Sequence, residues 1–151
     1  MQRRLKRKRS INKKVRNATQ STFDNKLFKS KLELYCYKRL KELDIPFKYE
    51  EFVFKIVDGF NCTADSYEKK KNGTFGKVSK KIRPITYKPD FVGNGWIIET
   101  KGNPNETWPI RLKLFKKYLT ELSEDWILFI PRNKKQVDES LEIIKNLHNE
   151  Q

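Results

Sequence analysis

The stretch that most constrains this chain is Tyr87 to Gly102, which reads Tyr-Lys-Pro-Asp-Phe-Val-Gly-Asn-Gly-Trp-Ile-Ile-Glu-Thr-Lys-Gly. Apolar residues on either side of a Gly-Asn-Gly turn predict a pair of short strands, with Phe91, Val92, Ile97 and Ile98 contributing to a core. Successive side chains of a strand point to opposite faces, so Glu99 and Lys101 share a face. Asp90 lies across the turn, within reach of both. Carboxylates and an ammonium gathered at one sheet edge predict a divalent-metal site with a cation built in.

The flanking segments predict a sheet with helices around it. Phe28, Leu32, Tyr35, Leu40 and Leu43 recur at three- and four-residue steps with one five-residue slip, so an amphipathic helix is expected from about Asp24, as N-cap, to Pro46. Glu33 stands beside the apolar stripe, where it either reaches the sheet edge or is an ordinary solvated glutamate. Phe47 to Val57 is aromatic and β-branched and predicts a strand, interrupted by Glu50 and Glu51. One of these acids could face the edge that holds Asp90; the alternative is that both face water.

Residues 58–83 change character, with Gly59, Asn61, Asn72, Gly73 and Gly76 among Lys69, Lys70, Lys71, Lys77, Lys80 and Lys81. They predict an excursion from the sheet, a hairpin with a basic tip, that either touches nucleic acid or is simply mobile. Thr107 to Leu122 is the clearest helix: Trp108, Leu112, Phe115, Leu119 and Leu122 form one stripe, Thr107 is a suitable N-cap and Pro109 suits the first turn. Trp126 to Ile130 is a continuous apolar run, expected as a strand covered on both faces. Val137, Leu141, Ile144 and Leu147 predict a last amphipathic helix. The expected architecture is α/β, a central mixed sheet flanked by helices, in a single domain over residues 23–151.

Charge narrows the partner. The formal net charge is +15 over 151 residues, which points to a polyanion, nucleic acid before an anionic membrane. Nine Lys or Arg and no acid fall in residues 1–20, leaving 25 basic against 19 acidic residues elsewhere. Residues 1–22 therefore predict a flexible basic arm, with Arg3, Arg4, Lys6 and Arg7 available to phosphates, a localisation address or a solubilising tail. The two cysteines, Cys36 and Cys62, have no metal-ligand spacing and are expected as ordinary reduced thiols. No apolar run approaches the roughly 20 residues of a membrane span, so a soluble, cytoplasmic protein is expected, with no membrane partner.

Phosphodiester hydrolysis needs an activated water and relief of charge at phosphorus. A hard cation such as Mg²⁺ takes oxygen ligands, and Asp90, Glu99 and the main-chain carbonyl of Thr100 offer them, with Mn²⁺ as a substitute. Lys101 is positioned to hold the attacking water or to stabilise developing charge.

Pro89-Asp90, then Glu99, Thr100 and Lys101, resembles the PD-(D/E)xK nuclease superfamily, whose αβββαβ, restriction-endonuclease-like core has the same order of elements. The likeness is closer to the phage endonuclease I family of DNA junction resolvases. It is carried by Tyr87-Lys-Pro-Asp-Phe, Asn94-Gly95, Ile98-Glu-Thr-Lys-Gly102 and the lead-in Leu32-Glu33, Ile45, Phe47 and Tyr49-Glu50-Glu51. The resemblance implies Asp90 and Glu99 as metal ligands, Lys101 as catalytic lysine, Glu33 as a fourth active-site residue, and a homodimer. The chain departs from that family at Lys48, where the family has a second acid, so that any metal role there is either lost or moved to Glu50. It also departs in the much longer segment between Glu51 and Tyr87.

The function expected is a metal-dependent DNA endonuclease acting on branched DNA. Lys69, Lys70, Lys71, Lys80, Lys81, Arg111, Lys113, Lys116 and Lys117 would grip phosphates together with the arm, reading shape more than base sequence. The competing expectations are a nicking or restriction-like nuclease on linear duplex, and a non-catalytic basic nucleic-acid-binding or virion-associated protein.

Overall fold

The strand pair expected around Gly93 to Gly95 forms the centre of a four-stranded sheet in the computed structural model, which describes residues 20–102 and 104–149. In chain order the elements are β1 (Ser21–Phe23), β2 (Lys26–Phe28), α1 (Lys31–Glu42), β3 (Lys48–Tyr49), β4 (Phe54–Val57), β5 (Phe60–Asn61), β6 (Ser66–Lys69), β7 (Phe75–Val78), β8 (Lys81–Ile82), β9 (Ile85–Tyr87), β10 (Phe91–Val92), β11 (Trp96–Ile98), α2 (Trp108–Glu121), β12 (Ile127–Phe129) and α3 (Lys134–Asn149). The central sheet runs β12-β11-β10-β3, with β10 antiparallel to both β3 and β11 and β12 parallel to β11. The class is mixed α/β, as expected.

Strand alternation divides the core in two. Tyr49, Phe91, Trp96 and Ile98 pack with Phe28, Cys36 and Leu40 and with Val137, Leu141 and Ile144, so α1 and α3 cover one face of the sheet. Val92 and Ile97 point the other way, to Phe115 of α2 and to Tyr87, whose ring stacks on Phe115 at 4.1 Å between centroids. Burying side chains of this size is worth roughly 1.5–3 kcal/mol each. The turn between β10 and β11 needs its glycines: Gly95 has φ +73°, and a methyl group on Gly93 would overlap the Trp96 indole. No helix among the described residues is long and apolar enough to cross a membrane.

The expected elements needed four corrections. Asp24 is not a helix cap: Asp24 and Asn25 have φ 50° and 56° in the two-residue turn of the β1–β2 hairpin, the left-handed geometry that short hairpins favour. The helix starts instead at Ser30, in a capping box with Glu33. Phe47 to Val57 is broken into β3 and β4, because Glu50 adopts φ 49° and its N–H donates to the Asp90 carbonyl at 2.8 Å. At the start of α2, Thr107 makes no side-chain cap; Asn105 Oδ1 accepts the Trp108 N–H at 2.9 Å in its place. Lastly, β12 is an edge strand, with Ile127 exposed.

The basic excursion is one long β-ribbon. β4 pairs with β9, β5 with β8 and β6 with β7, all antiparallel, nested around a single tip. At the tip the Gly73 N–H donates to the Lys70 carbonyl and the Lys70 N–H to Thr74, with Gly73 at φ +88°. That is a three-residue hairpin loop closed by a left-handed glycine.

Candidate functional site

Backbone bonds continue past the formal end of β11. The Glu99 N–H donates to the Phe129 carbonyl at 2.9 Å and the Lys101 N–H to Pro131 at 3.0 Å. The segment therefore stays extended, and Glu99 and Lys101 follow Ile97 on the α2 side, with Lys101 Nζ 3.8 Å from Glu99 Oε1. The alternation read from the sequence holds there. Lys101 Nζ also lies 5.5 Å from the centre of the Trp108 ring.

Asp90 joins this side of the site to a second group of acids. Its Oδ2 accepts from the Thr100 N–H at 2.8 Å and from Thr100 Oγ1 at 2.6 Å. Carboxylate oxygens of Asp90, Glu33 and Glu50 lie within 4.8 Å of one another. Thus Glu50, rather than Glu99, completes the tightest set of oxygens around Asp90 among the described residues.

Glu33 is held on all sides. Its Oε2 accepts from the backbone N–H groups of Lys29 (2.7 Å) and Ser30 (3.2 Å), and its Oε1 accepts from the Tyr49 hydroxyl at 2.8 Å. Glu50 is held by charge, paired with the Lys29 ammonium and lying 3.6 Å from that of Lys88. Glu99 differs from both: its Oε2 is buried with no hydrogen-bond partner among the described residues. So are the Tyr87 hydroxyl and the Trp108 indole N–H. All three residues line a pocket of about 100 Å³ with Lys88, Lys101, Asn105, Thr107 and Arg111.

The electrostatics follow from this crowding. Burial, then the charges of Glu99 and Glu33, push the Asp90 carboxyl well above its ordinary value, against the two Thr100 hydrogen bonds. Burial also raises Glu99, opposed by the Lys101 charge and then by the Trp108 and Tyr87 donors that face it. The Tyr87 phenol is raised by burial and by the Glu99 charge. Carboxylates this close disfavour their own ionisation unless a cation joins them. The donors are oxygens, and one is buried without a partner, so the residues fit a hard divalent ion such as Mg²⁺ better than a soft metal.

The basic residues expected to meet phosphates divide into engaged and open ones. Lys80 pairs with Glu68 and Lys117 with Glu121. Arg111 donates to the Thr86 carbonyl at 3.0 Å and lies over the Tyr87 ring. Lys69, Lys70, Lys71, Lys81, Lys113 and Lys116 are exposed and make no ion pair among the described residues. Arg3, Arg4, Lys6 and Arg7 lie outside the described residues.

Residues 13–135 match the family model described as Protein of unknown function (DUF1064). The chain belongs to that family. No curated protein and no solved structure matches it. In this DUF1064 protein the matched span includes every described acid of the site as well as Lys101 and the whole ribbon.

Sequence reasoning passed over Lys29, Lys88, Tyr49, Tyr87, Asn105 and Trp108 as site residues. Ser30-x-x-Glu33 was a readable capping box, and it would have put the Glu33 carboxylate at the helix start. Nothing in the sequence paired Lys29 or Lys88 with Glu50, since that depends on the left-handed backbone at Glu50.

Proposed function

We propose that this protein is a metal-dependent DNA endonuclease that hydrolyses phosphodiester bonds in branched DNA, with a restriction-endonuclease-like core. The observation that supports this most is the gathering of Glu33, Glu50, Asp90, Glu99 and Lys101 at one end of the adjoining strands β10 and β11. The order α1-β3-β10-β11-α2-β12 around that sheet supports the core, because it repeats the αβββαβ order of the nucleases that the motif resembles.

In this reading Asp90, Glu99 and the Thr100 carbonyl hold Mg²⁺, and Glu50 is a further oxygen donor on the side of Glu33. When bound, Mg²⁺ supplies Lewis-acid polarisation of the phosphate and lowers the pKa of a coordinated water. Lys101 stands beside Glu99 to hold the attacking water and neutralise charge as the phosphorus–oxygen bond breaks. Glu33 fixes the geometry from behind, through Tyr49 and the start of α1. The Tyr87 hydroxyl and the Trp108 indole N–H, both buried, face the Glu99 carboxyl and favour its charged form. Lys113, Lys116 and the ribbon lysines hold the flanking backbone, so affinity falls steeply with salt.

The test is cleavage by purified protein, with Mg²⁺ or Mn²⁺, of a four-way junction and of its component duplexes. Cutting of the junction alone supports the reading; equal cutting of the duplexes makes the protein a nicking or restriction-like enzyme. A second reading, a non-catalytic DNA-binding protein, is favoured by the engagement of Glu33 and Glu50 within the chain. It stands if no substrate is cut and Asp90→Ala and Glu99→Ala bind DNA as the wild type does.

A further inference from the structure

The β6–β7 end of the ribbon has an exposed face that the site above leaves unused. Tyr67 stands opposite Lys77 and Lys69 opposite Phe75, and alternation brings all four side chains to the same face. The result is a checkerboard of rings and ammonium groups. The Tyr67 and Phe75 rings lie diagonally, 6.3 Å apart between centroids and inclined by 31°. They are 59% and 75% exposed, and Phe75 is the most exposed large apolar side chain among the described residues.

Among the described residues, neither core cluster reaches behind them. The opposite face carries Ser66, Glu68, Gly76 and Val78, and a methyl group on Gly76 would meet the Lys70 chain at 3.3 Å. The rings therefore contribute little to the fold, and a two-stranded ribbon by itself is only marginally stable in water. Such surface apolar groups mark a contact site.

Charge identifies the partner. Residues 58–83 hold seven Lys or Arg against three acids. Lys77 pairs with Asp65 and Lys80 with Glu68, which leaves Lys69, Lys70 and Lys71 unpaired at the tip among the described residues. A second copy of the chain would set this excess against its like. A polyanion carrying flat apolar groups satisfies rings and lysines together, and nucleic acid is that polymer. In a duplex the base faces are already stacked, so the rings find partners only where bases are unpaired.

We propose that the Tyr67–Lys69–Phe75–Lys77 face binds unpaired nucleotides, its rings stacking on bases and its lysines meeting the intervening phosphates. This rests on the nucleic-acid substrate proposed above and names the feature of it that the ribbon selects: the single-stranded part of a branched or opened DNA.

The test uses the full chain in EDTA, with fluorescence anisotropy of a labelled oligothymidine and of a duplex of equal length. Tyr67→Ala with Phe75→Ala is expected to weaken oligothymidine binding by about tenfold or more. Duplex binding should stay within about twofold, and the melting temperature should not change, since the rings support no core. Leucine at both positions keeps apolar area without a π-face and is expected to lose as much. Replacing Lys69, Lys70 and Lys71 with alanine should weaken both ligands and flatten their salt dependence.

Oligothymidine binding that survives loss of both rings overturns the inference, as does an equal loss for both ligands. A shift from dimer to monomer in sedimentation, with DNA affinity unchanged, assigns the face to a second copy instead. Because no metal is present, a protein that cuts DNA but ignores the rings overturns this inference and leaves the nuclease reading intact.

Discussion

Glu33 and Glu99 are both buried carboxylates beside Asp90, and the chain treats them in opposite ways. Glu33 has both oxygens occupied, by two backbone N–H groups and the Tyr49 hydroxyl. Glu99 has one oxygen 3.8 Å from the Lys101 ammonium and the other buried without a hydrogen-bond partner among the described residues. A carboxylate that is fully satisfied organises its surroundings; one left partly unsatisfied is available to a ligand. The acids around Asp90 thus separate into a supporting side, on α1 and at Glu50, and an open side, facing the pocket under α2.

The largest expected effect would break this contrast outright. Glu99→Gln should lower Mg²⁺-dependent cleavage by roughly 10²-fold or more, an effect of the size seen when one transition-state contact is lost. It should do so without lowering stability, because burial already disfavours the charge that the substitution removes. Equal activity of the variant and wild type in a junction-cleavage assay would remove Glu99 from the site. Next comes the supporting side. Glu33→Ala should destabilise the chain by about 3 kcal/mol, through loss of the capping box and an unpaired buried Tyr49 hydroxyl. Denaturant unfolding measures this, and a loss no greater than for an exposed helix glutamate would make Glu33 a purely catalytic group.

A smaller effect is expected from pH in the absence of metal. The folded state raises the pKa values of Asp90 and Glu99, so it holds their protons more tightly than the unfolded chain does. Their contribution to stability is intact below about pH 4, the unfolded range, and is lost as pH rises through their folded values. Glu99→Gln should therefore melt above the wild type at pH 8, and the difference should close near pH 4. Added Mg²⁺ should raise the melting temperature of the wild type at pH 8 more than that of the variant. The smallest effect belongs to Lys29→Ala. Its ion pair with Glu50 is largely exposed on the lysine side, so unfolding should change by about 0.5 kcal/mol or less.

What the sequence disclosed was set by local rules. The period of two placed Glu99 with Lys101, and the stripe through Trp108, Phe115 and Leu119 located α2 almost to the residue. Val137, Leu141 and Ile144 marked the buried face of α3 correctly. Two of the four failures occur where the backbone turns left-handed at residues other than glycine. Asp24, Asn25 and Glu50 all do so, and each ended or redirected an element that hydrophobic pattern alone would have carried through. Glu50 shows the cost for the site: its acid joins Glu33 and Asp90 only because the chain bends there. The hairpin nature of residues 58–83 was legible from glycine and asparagine, but the facing of Tyr67 and Phe75 needed the register of the ribbon.

The backbone bonds from Glu99 to Phe129 and from Lys101 to Pro131 have a further consequence, in time. The motif's acid and lysine are neighbours in sequence, yet both are anchored to a strand made some thirty residues later, across the α2 crossover. Contacts of this separation close after local ones. On the ribosome, the helix with Glu33 and the strands around Gly95 can pair while β12 is still inside the exit tunnel. Glu99 and Lys101 receive their backbone partners only once residue 131 has emerged, so the open side of the site is the last part of it to be assembled.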